Sequence, residues 1–422
     1  MTAELALSVG RAVGVDTDRV VVGRDARESG RLLTDALAAG LRESGVDVVD
    51  LGLAATPTVA RSVAAEDADA GVSVTASHNP APDNGIKLWQ PSGQAFDGAL
   101  QDTITERVRE GVTDLRPWDE LGERVRRDGA QRHVDALVDA VTIDDPISVV
   151  VDLGNGAGGV AVEALQRLGC AVETLNAQPD GAFPGRPSEP TADNCESLAA
   201  LVAESDADLG IAHDGDADRM RCVAADGTYL SGDVTLALLA REAASPGDRV
   251  AAPVDTSLAV DDHLAEIDVT VERTRVGDVY VAEVASEPGV AFGGEPSGAW
   301  IWPGETLCPD GPLAACKVAA LAAERPLADR LADVETYPIR RDSVETTEKA
   351  AVMDRVTDRV RAEYDDVTTL DGVRVGLEDG WFLLRASGTQ PIVRITAEAR
   401  EAERAESVFA EARALLDDAL AG

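Results

Sequence analysis

The sequence predicts an α/β protein: three related α/β domains with mixed, mostly parallel sheets, followed by a C-terminal α+β domain. Two observations carry this. Near Val20, Ser148 and Arg249 a short apolar run opens a strand–helix–strand rhythm, and each opening strand ends near an aspartate, Asp25, Asp152 or Asp255. From about Val334 the rhythm gives way to a strand-like piece, a polar helix, three strands and a last helix, which is an antiparallel α+β pattern.

Taken in order, residues 5–15 have helical spacing, and Val20-Val21-Val22 leads into Gly23-Arg24-Asp25. Ser29 is expected to cap a helix that has Leu33, Leu37 and Leu41 on one face and Gly45 at its end. A strand follows at 46–49, a short helix at 59–65 and a strand at 71–74. The second unit reads as strand 148–152, a glycine-rich turn, helix 160–168 and strand 171–175. The third reads as strand 249–255, helix 257–265 and strand 268–273. The last has helix 350–364, strands 372–376, 381–385 and 392–396, and a helix from about Glu401. Linkers near 144–146, 230–232 and 336–338 divide the chain into domains 1–143, 144–232, 233–335 and 336–422.

A net charge of −39 is spread along the 422 residues and forms no tail. Lysine occurs only as Lys87, Lys317 and Lys349. A diffuse excess of carboxylate argues against nucleic-acid or anionic-membrane binding, which needs basic patches. We read the acidity as solvation in a salt-rich cytoplasm, where screening confines repulsion to a few ångströms, and so expect a halophilic protein. Cys170, Cys195, Cys222, Cys308 and Cys316 form no CxxC pair and no zinc spacing, as expected of reduced thiols. No apolar run reaches the ~18 residues of a membrane span, and no charged-then-apolar leader is present. The expectation is a soluble cytoplasmic protein.

Four stretches carry chemistry. Ser77, in Thr75-Ala76-Ser77-His78-Asn79-Pro80, lies on a loop just past a strand end, where ligands meet α/β sheets. An ordinary turn serine is the plainer reading. In Asp214-Gly215-Asp216-Ala217-Asp218-Arg219 an extended chain would project residues i, i+2 and i+4 from one side, so three carboxylates converge. Such a hard anionic cluster suits Mg²⁺. An EF-hand is excluded because its sixth and twelfth positions hold Arg219 and Ala225 instead of Gly and Glu. An acidic surface loop is the rival, and Arg219 argues against it. Gly293-Gly294-Glu295-Pro296-Ser297-Gly298 suits hydrogen bonding to vicinal sugar hydroxyls. Arg385-Ala386-Ser387-Gly388-Thr389-Gln390-Pro391, with Arg394, offers small residues and two guanidinium forks for a phosphate. A competing signal is Gly154-Asn155-Gly156-Ala157-Gly158-Gly159, a G-x-G-x-x-G between strand and helix with Glu173 about 20 residues on. It keeps a dinucleotide-dependent oxidoreductase open.

The TASHNP, DGDADR, GGEPSG and RASGTQP motifs, in that order, resemble the α-D-phosphohexomutase family over essentially the whole chain. The resemblance implies four domains around a central cleft, with Ser77 as a phosphoserine. It implies that Asp214, Asp216 and Asp218 ligate Mg²⁺, together with a Ser77 phosphate oxygen. Lys87, ten residues after Ser77, falls where the family has its general acid/base. Arg219 and Arg24 would neutralise the transferring group, and His78 would hydrogen-bond the phosphoseryl group. Glu295 and Ser297 would read sugar hydroxyls, while Arg385, Ser387, Gly388, Thr389 and Arg394 would hold the non-reacting phosphate. A hexose 1,6-bisphosphate would be both intermediate and activator. Gly388 and Ser297 are similar to the phosphoglucosamine mutase branch, implying conversion of glucosamine 6-phosphate to glucosamine 1-phosphate. Many members have His where Ala299 stands. The alternatives are a phosphomannomutase/phosphoglucomutase or a non-catalytic sugar-phosphate binder, and the chain could be a monomer or a dimer. Family chains usually carry a strand like Gly-Thr-Ser-Gly-Ile-Arg-Gly before the helix that starts here near Glu4, which suggests a start site placed too late.

Overall fold

The computed structural model describes residues 1–388 and 390–421. They form two compact units, one of Met1–Thr235 with Ser297–Ala332, the other of Leu236–Pro296 with the chain from Asp333.

The first unit opens with α1 (Ala3–Val13), β1 (Arg19–Arg24), α2 (Gly30–Glu43), β2 (Asp47–Leu53), α3 (Thr56–Ala65) and β3 (Ala70–Val74). Next come β4 (Ile86–Trp89), α4 (Gly98–Glu110), β5 (Arg124–Arg126) and α5 (Ala130–Ala140). The sheet runs β4-β3-β1-β2-β5, parallel except for β4. Because β1 is central and covered on both faces, its middle residues, Val20 to Gly23, are all apolar and buried. Val20 and Val22 pack with Leu33, Leu37 and Leu41, whereas Val21 meets Val59 and Val63. One expectation fails here. Ser29 makes no capping bond, having helical backbone angles itself, and its Oγ accepts instead from Asn84 Nδ2 (3.0 Å).

A second sheet in the same unit uses β6 (Ser148–Asp152), α6 (Gly159–Arg167), β7 (Ala171–Leu175), α7 (Glu196–Ala203), β8 (Leu209–His213) and β9 (Met220–Ala224). Its order is β7-β6-β8-β9, with only β9 antiparallel. Leu230, expected in a linker, is buried, and its N–H donates to Cys222 O.

Helix α8 (Gly232–Ala243) carries the chain into the second unit. There β10 (Arg249–Pro253), α9 (Leu258–Ala265), β11 (Thr270–Thr274), α10 (Asp278–Ala285) and β12 (Val290–Gly294) repeat the plan, β10 lying parallel between β11 and β12. The short β13 (Trp300–Ile301), α11 (Gly311–Glu324) and α12 (Leu327–Leu331) belong to the first unit.

The C-terminal part comprises β14 (Ile339–Glu345), α13 (Lys349–Glu363), β15 (Val367–Thr368), β16 (Val373–Leu377), β17 (Gly380–Ala386), β18 (Ile392–Ala399) and α14 (Ala402–Ala421). Its sheet is antiparallel throughout, in the order β14-β18-β17-β16-β15. One face carries Phe382, Leu384, Val393 and Ile395 into a core with α13 and α14. On the other face, Trp381 and Leu383 pack against Val254. The fully buried Glu398 fastens that seam, accepting from Ser257 Oγ, Leu258 N (2.8 Å) and Trp381 Nε1 (2.6 Å). Three donors satisfy a carboxylate that burial would otherwise penalise. Among the described residues, no helix is long and apolar enough to cross a membrane.

Candidate active site

Strand β3 delivers Ser77 to the end of the first sheet with a left-handed backbone (φ 49°). A non-glycine residue held there costs on the order of 1 kcal/mol, so the surroundings must enforce it. They do so from three sides. The Ser77 N–H donates to Thr75 Oγ1 (2.8 Å), whose hydroxyl donates to Asp25 Oδ2 (2.8 Å). The Ser77 carbonyl accepts from Arg27 Nη2 and from Ser188 Oγ, both at 2.8 Å. Ser188 Oγ also accepts the Gly215 N–H (3.0 Å), linking the serine loop to the acidic loop.

The acidic loop follows β8, and its three carboxylates converge. Each offers an oxygen within 4.8 Å of the others, and all three residues are buried. Extended geometry is not the cause, contrary to expectation. The chain turns sharply after His213, with Ala217 in the left-handed region (φ 55°). Ser77 Oγ donates to Asp214 Oδ2 at 2.6 Å and lies 3.3 Å from Asp218 Oδ1. Lys87, on the edge strand β4, places Nζ 3.2 Å from Asp216 Oδ2 and also pairs with Asp218. Thr56 binds Asp216 from the start of α3, its N–H to the carbonyl (2.8 Å) and its hydroxyl to Oδ2 (2.7 Å).

These surroundings separate the carboxyls. Burial, then the charges of Asp218 and Asp216, push Asp214 well above the ordinary carboxylate range. Burial also presses Asp216 upward, but the Lys87 ammonium and the Thr56 hydroxyl prevail and bring it to about 2. His78 is lowered to about 4 by burial and by Arg219, so its imidazole is neutral near pH 7. Burial likewise lowers His213 to about 4, and its Nδ1 lies 2.9 Å from Arg219 O, a structural contact.

The donor set fits a divalent cation. It is all oxygen, anionic and buried, and Asp216 Oδ1 has no hydrogen-bond partner among the described residues. Mg²⁺ favours such hard ligands.

Two further groups are clamps that the sequence did not single out. Arg27, 1% exposed, pairs with Asp25 Oδ2 (2.9 Å) and donates to four carbonyls of the serine loop: Ser77, Asn79, Pro80 and Asp83. Arg186 pairs with Asp152 Oδ2 (2.6 Å) and donates to His213 O (2.6 Å) at the entry of the acidic loop. Each uses the aspartate at the end of an opening strand, which was the visible part of the signal. Arg24 Nη1 donates to Asp25 O (2.9 Å). Arg219 lies 3.9 Å from Glu189.

The glycine-rich turn after β6 serves this loop. Amides 154–157 donate to Asp152 Oδ1, Asn176 O, Leu153 O and Gly215 O, leaving them unavailable to a pyrophosphate. A Cβ on Gly156 would stand 2.6 Å from Gly215 O, so glycine is needed for the close approach.

Within the first unit, Ser297 is exposed, and Gly298 O accepts the Met220 N–H (2.9 Å), fixing this residue beside the end of the acidic loop. Within the second unit, the buried Glu295 accepts the Gly277 N–H through Oε1 (2.6 Å). Arg385 and Arg394 are directly opposed on β17 and β18. Ser387 Oγ accepts the Gln390 N–H (3.2 Å), and a Cβ on Gly388 would meet nothing within 4 Å. Thr389 lies outside the described residues. Lys349 Nζ donates to Ser387 O and to Gln390 O (2.7 Å).

Family models match the chain in four consecutive blocks. They are phosphoglucomutase/phosphomannomutase α/β/α domain I over residues 1–114, domain II over 131–227, domain III over 231–337 and the C-terminal domain over 342–415. The chain belongs to the phosphoglucomutase/phosphomannomutase family. The four-domain plan read from the sequence, three α/β and one with an antiparallel sheet, is thereby borne out. A probable phosphoglucosamine mutase of Methanopyrus kandleri is 46% identical over 420 residues, covering 97% of this chain and 92% of that protein. One of Methanosarcina acetivorans is 44% identical over 426 residues, covering 100% and 96%. A crystal structure of a family protein from Burkholderia thailandensis superposes with a TM-score of 0.91 at 30% identity, covering 100% of this chain and 95% of that one.

Proposed function

We propose that this member of the family is a phosphoglucosamine mutase, interconverting glucosamine 6-phosphate and glucosamine 1-phosphate through a phosphoserine and a 1,6-bisphosphate. The observation that supports the chemistry is Ser77 Oγ within 2.6 Å of Asp214 in a nest of three buried carboxylates. The amino-sugar reading is supported by relatives of that description at 40–46% identity.

In this reading Ser77 carries a phosphoryl group. A sugar hydroxyl attacks phosphorus and gives its proton to Lys87 Nζ, which acts as the neutral amine after losing its own proton. The P–Oγ bond breaks, and the departing Ser77 Oγ takes up a proton to become the free hydroxyl. Asp214, Asp216 and Asp218 would hold Mg²⁺, which supplies positive charge to the transferring group. Neutral His78 donates an N–H to the phosphoseryl oxygens, while Arg219 and Arg24 add positive charge around them. Glu295 and Ser297 hold sugar hydroxyls. Arg385, Ser387, Gly388, Thr389 and Arg394 anchor the idle phosphate, so that reorienting the bisphosphate exchanges its two ends. A hexose 1,6-bisphosphate then restores any Ser77 that has lost its phosphoryl group.

Rates on glucosamine, glucose and mannose 6-phosphates, with MgCl₂ and the matching bisphosphate, test this. We expect kcat/KM for the amino sugar to lead by about 10-fold, matching the roughly 1–1.5 kcal/mol net worth of one hydrogen bond. A lead for glucose or mannose would move the substrate, and tight binding without turnover would make the chain a binder. The halophilic reading has its own check: the urea midpoint should rise with KCl, and equal stability in dilute buffer overturns it.

A further inference from the structure

The antiparallel register places more than the two expected arginines on one sheet face. Ser343, Arg394 and Arg385 stand opposite one another across β14, β18 and β17. One step along, Arg341, Thr396 and Leu383 form the next row of the same face, since side chains repeat every second residue. Both rows line a cavity of about 480 Å³, and Asp255 lines it from the end of β10. Arg341 is exposed and makes no ion pair or hydrogen bond among the described residues. Three guanidinium groups on one cavity stand out in a chain with 38 lysines and arginines against 77 acidic residues.

We propose that Arg341 is a third guanidinium ligand of the idle phosphate, selecting a dianionic phosphate monoester at the remote end of the substrate. This deepens the mutase reading and rests on it. Arg385 and Arg394 approach from adjacent strands, and Arg341 lies diagonal to Arg394, at a backbone distance of roughly 7–8 Å that long side chains bridge. A phosphate dianion has three terminal oxygens, each able to accept more than one N–H, so three forks can be used together. Asp255 offsets the crowding of positive charge. Burial raises its carboxyl, and Arg385 and Arg341 draw it back down.

Arg341→Gln and Arg341→Lys in the full chain provide the test. Arg341 is exposed, so both variants should melt as the wild type does. For Arg341→Gln we expect KM and the calorimetric Kd for glucosamine 6-phosphate to rise about 10-fold with kcat within about twofold. Lysine should restore part of this, because it keeps the charge and loses the fork. Unchanged KM and Kd overturn the proposal and leave the mutase reading standing. A wild type without turnover, whose phosphate-ester binding still falls 10-fold in Arg341→Gln, upholds the proposal and removes the mutase reading. A wild type that binds no hexose phosphate overturns both.

Discussion

Ser77→Ala should reduce turnover at least about 10⁴-fold, as expected when the group that carries the transferred moiety is lost and only binding remains. The fold should survive. The substitution deletes one hydroxyl whose bond to a carboxylate is worth ~1.5–3 kcal/mol, while the Ser77 N–H and carbonyl keep their partners in Thr75, Arg27 and Ser188. The freed Asp214 carboxyl, already raised by burial, becomes easier to protonate, which softens the loss. Substrate affinity should change little, because the phosphate anchor is built from other residues. The checks are the mutase assay, calorimetric binding and the mass of the peptide bearing residue 77, which should gain a phosphoryl group from the bisphosphate only in the wild type. Activity within tenfold of the wild type would mean that the phosphoryl group travels on another residue.

What the sequence disclosed depended on whether the signal was local. The run Val20-Val21-Val22 and the spacing of Leu33, Leu37 and Leu41 were readable because burial on a strand or helix imposes a period. The acidic triad was readable as a cluster, but for a partly wrong reason. A left-handed Ala217 brings the carboxylates together, and nothing in an alanine announces that backbone. The glycine-rich turn kept a rival reading open because close approach to another loop and close approach to a pyrophosphate demand the same residue. Arg27, Arg186 and Lys349 stayed hidden for a different reason. Most of their donors serve backbone carbonyls, which every residue type provides, and the pairing of Arg27 with Asp25 and of Arg186 with Asp152 shows only once the fold brings them together. Arg341 needed the register of β14 against β18, which a single strand's sequence does not contain.

Arg27→Met should have the largest effect on stability, about 3–5 kcal/mol at pH 7.5, because it strands a buried carboxylate. Asp25 is 1% exposed and is pushed up to about 6 from an ordinary 3.8, chiefly by burial, with Arg27 among the groups that oppose it. A raised folded-state pKa means the native protein holds this proton more tightly than the unfolded chain does. The stability it contributes is therefore complete below about pH 4 and is lost as pH rises through about 6, roughly 3 kcal/mol in all. Without the guanidinium the folded pKa climbs further, so the penalty of the substitution depends on pH. It is largest where Asp25 is ionised in the wild type and smaller at pH 5, where the carboxyl is already protonated. The four carbonyls of the serine loop lose their donor at every pH, and part of the cost persists for that reason. Turnover should fall at least about 100-fold even where the variant is folded, since Ser77 is aimed by that donor. Urea titrations of both proteins at pH 5 and 7.5 would resolve the two parts. A penalty equal at both values would mean that Arg27 acts through the loop carbonyls alone and that the charge of Asp25 is neutralised elsewhere.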